Sequence, residues 1–201
     1  MDWYKQNIAT YDKSAKELAE YFKGIGPRVN DIKYALELVG NPKNARAIEI
    51  GCGDGRDAKE IIKQVDWYEG IDPSSGLLEI AKKNLPKSSF VVADALTYEY
   101  PKDLDIVYAF ASLLHVNKED LTIVFDKVHK SLKQKGIFYI SLKEREKYTE
   151  EVKKDKYGER MFYFYNADII KSIAPKKFSS IFEHSQIHGD TKWFTIALKK
   201  I

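Results

Sequence analysis

The sequence contains one cysteine, Cys52, so no intramolecular disulfide can form, and the chain suits a reducing cytoplasm. It has no N-terminal apolar segment of signal-peptide type and no apolar run of about 18 residues, so neither secretion nor a membrane span is expected. Neither sign of charge dominates. The 33 basic residues against 30 acidic leave a net charge of +3, far short of the basic footprint of a nucleic-acid-binding surface. Internal repeats and low-complexity segments are missing too. What remains is an ordinary globular composition, 44% hydrophobic and 31% charged, over 201 residues, a length that fits one domain with a full core.

One stretch organises the rest. Ala47 to Ile50 read as a short strand that runs into Gly51, Gly53 and Gly55. A helix over 57–65 follows, with Ala58, Ile61, Ile62 and Val65 on its inward face. Glycines here let backbone approach a ligand closely, because no Cβ blocks it. Residues 68–72 form a second strand ending in Asp72, and a carboxylate at that point suits a ribose diol. A dinucleotide fingerprint does not fit, since Arg56 holds its third glycine position. A phosphate loop does not fit either, since no Lys-Ser or Lys-Thr follows the glycines. The loop therefore suits a nucleoside ligand without phosphates, with a purely structural glycine turn as the competing reading.

The run Glu49-x-Gly51-x-Gly53-x-Gly55, with Asp72 closing the next strand, resembles the opening motifs of the class I S-adenosylmethionine-dependent methyltransferases. The resemblance implies an α/β fold: a doubly wound, seven-stranded, mostly parallel sheet with a reversed last strand, helices on both faces and an N-terminal helical cap. It implies S-adenosyl-L-methionine as cofactor, held by Glu49, Gly51, Cys52, Gly53, Gly55, Asp72 and Pro73. Asp94 and Ala95 would lie along the adenine edge, Ala109 and Phe110 at the end of the fourth strand, and Tyr11 near the reactive methyl. Taken as residues alone, Tyr11 is equally an aromatic in core packing, and Asp94 equally a loop aspartate that starts a turn.

The order of elements supports one domain, 1–201. Residues 1–42 are the helical cap, a helical arm over 1–23 and a second helix after Asn30 or Asp31, broken at Gly24 to Pro27 and stopped at Gly40. Residues 45–141 are the cofactor-binding half, in which Asn117 caps a helix that Gly136 is expected to end. Residues 142–166 are a substrate lid, opening with a charged stretch that suits a solvated helix or a mobile cover. The aromatic cluster Tyr157 to Tyr165 follows, for which an edge strand or a dimer contact is the alternative. Residues 167–201 are a helix and an antiparallel hairpin turning at Gly189-Asp190. The resemblance covers about residues 45–201, with sharp motifs only in 47–115.

Methyl transfer from a sulfonium is governed first by positioning, so a strong catalytic residue is not required. If a base is needed, His115 is the candidate, at the mouth after the fourth strand, with a structural or stacking role as the alternative. The acceptor is narrowed by what is missing. The site after the fourth strand, Ala109 to Ser112, lacks the Asn/Asp-Pro-Pro-aromatic run of enzymes that methylate exocyclic base amines, and lacks the paired glutamates of arginine methylation. Cys52 belongs to the glycine loop and so is not free as the nucleophile of cytosine ring-carbon methylation. His184 and His188 have a zinc-like spacing but no cysteine or second pair beside them, so no metal site is expected. A small-molecule acceptor is thus expected, with Arg160 pairing an anionic group on it and Phe162 and Tyr165 lining its site. An RNA acceptor and a non-catalytic cofactor-binding module are the other two readings; a membrane partner is not expected, and the chain would act as a monomer or homodimer.

Overall fold

In the computed structural model, which describes residues 2–201, the apolar runs of the first half become parallel strands: β1 (Arg46–Ile50), β2 (Trp67–Asp72), β3 (Ser89–Val92) and β4 (Leu104–Phe110). They are followed by β5 (Leu132–Lys143), the hairpin of β6 (Thr149–Asp155) and β7 (Gly158–Phe164), and the closing pair β8 (Phe178–His188) and β9 (Thr191–Lys200). The main sheet runs β3-β2-β1-β4-β5-β9-β8, and β9 alone runs opposite to the other six strands. The expected seven-stranded sheet with a reversed last strand is therefore present. Its order turns back at the β1/β4 pair, so the loops leaving those two strands flank a crevice at their C-terminal ends.

Helices cover both faces: α1 (Trp3–Lys13), α2 (Ala15–Ile25), α3 (Val29–Val39), α4 (Ala58–Ile61), α5 (Ser75–Asn84), α6 (Lys118–Ser131) and α7 (Ala167–Ile173). Strand side chains alternate between two cores. Ile48, Val107 and Phe138 pack on the face with α6, while Ala47, Ile106 and Tyr139 pack on the face with α3. Asn117 and Asn166 cap α6 and α7 by accepting from the Asp120 and Ile169 N–H groups at 2.8 and 2.9 Å.

Five local expectations change. The second helix of the cap starts at Val29, ahead of the Asn30 or Asp31 expected to cap it, with Arg28 as its N-cap and no side-chain cap. The arm over 1–23 is two helices, interrupted at Ser14, whose backbone leaves helical geometry (φ −106°, ψ 17°) and whose hydroxyl donates to the Tyr157 carbonyl at 3.1 Å. The helix over 57–65 shortens to Ala58–Ile61, and Gln64 already closes a tighter turn onto Ile61. Gly136 ends no helix. It sits inside β5, where the register against β4 shifts and a Cβ would lie 3.0 Å from the Lys133 carbonyl and 3.1 Å from that of Leu104. The charged stretch after residue 142 is not a helix: residues 149–164 form the β6–β7 hairpin, and Arg160, Phe162 and Phe164 alternate inward along β7. That two-residue period was present in the sequence beneath the density of charge.

Candidate active site

The crevice at the β1/β4 switch opens into a cleft of about 500 Å³. Its inner end is the turn after β1. Gly51 has φ +72°, and a Cβ on it would lie 2.2 Å from the Ser112 Cβ, so the turns after β1 and β4 touch where only glycine fits. The Ser112 hydroxyl donates to the Ile50 carbonyl at 2.6 Å and stitches the two turns together. Gly53 has φ +55°, and its missing Cβ would point into open space, with only Leu77 Cδ1 near at 3.9 Å. The loop is therefore tight on its protein side and bare on its cleft side.

Asp72 is the anchor of this end. Its Oδ2 accepts from the Gly53 N–H at 2.9 Å and its Oδ1 from the Ser74 N–H at 2.8 Å. Each oxygen keeps lone-pair capacity for a further donor, which is what a vicinal diol requires. Burial raises the Asp72 carboxyl to about 6, and the two N–H donors pull against that. Glu49 is buried beside it, accepts from the Tyr68 hydroxyl at 2.6 Å, and is raised well above the usual carboxylate range by burial. Asp94 accepts from the Leu96 and Thr97 N–H groups, so it does start a turn, and it lines the cleft as well. Bare backbone and an acid with free lone pairs fit a nucleoside cofactor.

The cap closes the other side. Asp12 of α1 accepts from the Ser74 hydroxyl and the Gly76 N–H, both at 2.8 Å, and pins α1 to the start of α5. Asn7 makes a two-point pair with Met161 of β7, its Nδ2 donating to the carbonyl at 3.0 Å and its Oδ1 accepting from the N–H at 2.8 Å. Thr10 and Ser14 donate to the Glu159 and Tyr157 carbonyls, each at 3.1 Å. One face of a helix thus satisfies alternate carbonyls of a strand edge, as a further strand would.

His115 lies beneath this pair. Its Nδ1 is 2.7 Å from the Met161 carbonyl and its Nε2 is 2.8 Å from the Tyr11 hydroxyl. Burial drives the imidazole down to about 3, with Arg160 and Lys143 adding to the drop against the Met161 carbonyl. The cations lie at this end. Arg160 pairs with Asp155 and stacks 5.2 Å from the Tyr11 ring centre, and Lys143 Nζ stands 4.3 Å from that of Phe162.

The cleft brings together Tyr11, Glu49, Gly51, Cys52, Gly53, Asp72, Pro73, Asp94, Ala95, Phe110, His115, Arg160 and Phe162. Three expected residues lie outside it. Gly55 faces Ala81, Leu85 and Phe90, where it admits α5 and β3 rather than a ligand. Ala109 is fully buried in the sheet core. Tyr165 is fully buried, its hydroxyl donating to the Val116 carbonyl at 2.6 Å. The sequence reading missed Asn7, Lys143 and Trp193, which also line the cleft. Only for Asn7 was there a signal: Asn7, Thr10 and Ser14 are polar at helical spacing on the face that carries Tyr11.

A methyltransferase-domain family profile matches residues 47–136, from β1 through the start of β5. Among solved structures, an S-adenosylmethionine-dependent methyltransferase of Leishmania major superposes with a TM-score of 0.75 over 98% of this chain and 83% of its own, at 17% identity. Residues 47–136 thus match a methyltransferase domain in sequence, and the chain shares the fold of solved S-adenosylmethionine-dependent methyltransferases. A Haemonchus contortus phosphoethanolamine N-methyltransferase, solved with S-adenosylhomocysteine, shares the domain's fold with a TM-score of 0.66 over 85% of this chain and 52% of its own, at 18% identity. In sequence, the chain is 28% identical over 126 residues to a trans-aconitate 2-methyltransferase of Rhizobium leguminosarum bv. trifolii, a match that takes in 62% of this chain and 48% of the relative. The chain thus spans about half the length of the curated relatives it matches first.

Proposed function

We propose that the protein transfers a methyl group from S-adenosyl-L-methionine to a small-molecule acceptor. The observation that carries this reading is Asp72, held by two backbone N–H groups with lone pairs to spare, beside a glycine turn whose cleft side is bare. When bound, the cofactor supplies a methyl carbon on a cationic sulfur, open to in-line displacement. Asp72 would accept from the ribose hydroxyls, Gly51 to Gly53 would admit the cofactor against backbone, and Asp94 with Ala95 would border the adenine. Asp54 and Asp72 at this end, raised only to about 6 and so mainly ionised at neutral pH, favour a cationic guest.

Residues 1–42 and 142–166 act in this reading as one cap over the acceptor, excluding water and fixing its approach. Holding the reactants in line accounts for about 7–11 kcal/mol of barrier in well-oriented systems, against about 10²–10⁴-fold from a general base. His115, with Nε2 already hydrogen-bonded, acts by positioning Tyr11. Curated relatives named for a small-acid acceptor support a small molecule over a nucleic acid, as does the balanced charge. The buried, unpaired Cys52 is compatible with action in the cytoplasm, as a monomer or homodimer.

Calorimetry with S-adenosylhomocysteine, followed by transfer of labelled methyl into fractionated extract, tests the proposal. Binding in the wild type, lost in Asp72→Ala, and label in the small-molecule fraction are expected. Label in RNA would move the acceptor to nucleic acid; binding without any transfer would leave a cofactor-binding module; no binding at all would end the reading.

A further inference from the structure

The charged groups of the cleft are sorted by sign. At the glycine end they are carboxylates, and the two arginines nearby, Arg28 and Arg56, are both spent on Asp57. At the far end, walled by β5, the β6–β7 hairpin and β9, they are Lys143, Lys153, Lys154 and Arg160 with Asp155, and Lys154 is paired with Glu159. The carboxylates facing Lys143 from β6 are committed elsewhere: Asp155 pairs with Arg160, and Glu151 with Arg145 and Lys153. Among the described residues Lys143 has no ion-pair partner. Its amine stands between the rings of Phe162 and Trp193, 4.3 and 5.8 Å from their centres. Burial, then Lys153 and Arg160, lower it to about 8, so it still carries its proton at neutral pH.

Arg160 has the complementary defect. It is 7% exposed, and while one terminal nitrogen pairs with Asp155, its Nε–H is buried with no acceptor. Its guanidinium lies 5.4 Å from the same Phe162 ring that Lys143 overhangs. An uncompensated buried donor on a cation is costly, and so is a desolvated amine without a counterion. Two such groups on one ring, both lining one cleft, form a prepared positive site.

We propose that Lys143 Nζ and the Arg160 Nε–H are the docking point for an oxyanion group, carboxylate or phosphate, on the methyl acceptor. Lysine binds such a group as a point charge and arginine as a directed donor. The inference rests on the methyltransferase reading only in calling the guest an acceptor.

Calorimetry on the full chain, with and without saturating S-adenosylhomocysteine, tests it with citrate as the carboxylate probe and inorganic phosphate as the other. At least one anion binds the wild type; Lys143→Met weakens it by about tenfold or more, and Lys143→Arg keeps it within about threefold. S-Adenosylhomocysteine affinity stays within about twofold in both variants, and thermal melts confirm that both are folded. Neither anion binding in the wild type, or equal binding in Lys143→Met, overturns the proposal. Lys143-dependent anion binding without any S-adenosylhomocysteine binding would leave the docking point standing and remove the methyltransferase reading.

Discussion

Tyr11 donates its hydroxyl proton to Nε2 of His115 across 2.8 Å, and the direction of that bond follows from the other side of the ring. The Met161 carbonyl, 2.7 Å from Nδ1, can only accept, and the Asn7 Nδ2 amide, 3.2 Å from the same nitrogen, makes its shorter bond to that carbonyl at 3.0 Å, so the proton sits on Nδ1 and Nε2 carries the lone pair. The imidazole is neutral, held at both nitrogens, and pushed down to about 3. With burial holding the ring neutral and Nε2 already accepting from Tyr11, His115 is expected to position Tyr11 rather than to serve as a base near neutrality. Ring ¹⁵N spectra should show His115 as the Nδ1–H tautomer with no titration between pH 8 and 5. A midpoint near 6.5 would contradict the geometry.

The same shift ties His115 to acid stability. The unfolded imidazole takes up a proton near 6.5 and the folded one only near 3, so in that window the unfolded state binds more protons and stability falls with pH. The loss amounts to up to about 4 kcal/mol by pH 3, and is absent above 6.5. Asp54 and Asp72, raised from 3.8 to about 6, work in the opposite sense, gaining stability as pH drops through that range. Comparing the wild type with His115→Gln by denaturant titration at several pH values cancels the carboxylates. The stability difference between the two should shift in favour of the variant below pH 6. Parallel curves would show that His115 is not desolvated.

Two glycines two residues apart separate folding from binding. At Gly51, alanine meets both a left-handed backbone and the Ser112 Cβ at 2.2 Å, which together cost about 2–5 kcal/mol. At Gly53 the backbone strain alone applies, about 1–2 kcal/mol, because the new methyl enters open cleft. Gly51→Ala should thus melt markedly lower, while Gly53→Ala stays folded and loses S-adenosylhomocysteine affinity by about tenfold or more. Thermal melts and calorimetry on the pair give the comparison, and equal binding by Gly53→Ala and wild type would place the cofactor elsewhere.

The sheet and the glycine end of the cleft were legible because local chemistry dictates them. Strand, positive-φ turn and terminal acid occupy one continuous stretch, and Asp72 finds Gly53 through the adjacent pairing of β1 and β2. The far end was not, because Lys143, Arg160 and Trp193 meet only once β5 pairs with β9 and the hairpin folds over both. Tyr165 misled for the same reason: one step beyond the alternating Arg160, Phe162 and Phe164, it turns its hydroxyl to the Val116 carbonyl instead of the cleft. Lys143 looked like the first of a run of surface charges, since nothing local distinguishes a lysine at a strand end facing a cleft from one facing solvent.

The cap depends on Asn7, where an amide does what neither a hydrocarbon nor an acid can. Its Nδ2 and Oδ1 satisfy both the carbonyl and the N–H of Met161, and the residue is 4% exposed. Asn7→Ala leaves the Met161 N–H buried without an acceptor, at about 1–3 kcal/mol. Asn7→Asp restores that acceptor but sets an anionic oxygen against the carbonyl, so at pH 7 it should be at least as damaging as alanine. Protonating the aspartate turns the second oxygen into a donor, and its stability should recover toward wild type between pH 7 and 5. The alanine variant has no such group to titrate. Hydrogen exchange at the Met161 amide reports the opening directly: fast in Asn7→Ala at both pH values once corrected for intrinsic rate, and slowed on acidification in Asn7→Asp. Protection unchanged in both variants would mean that the helix is held to the hairpin by its apolar contacts alone.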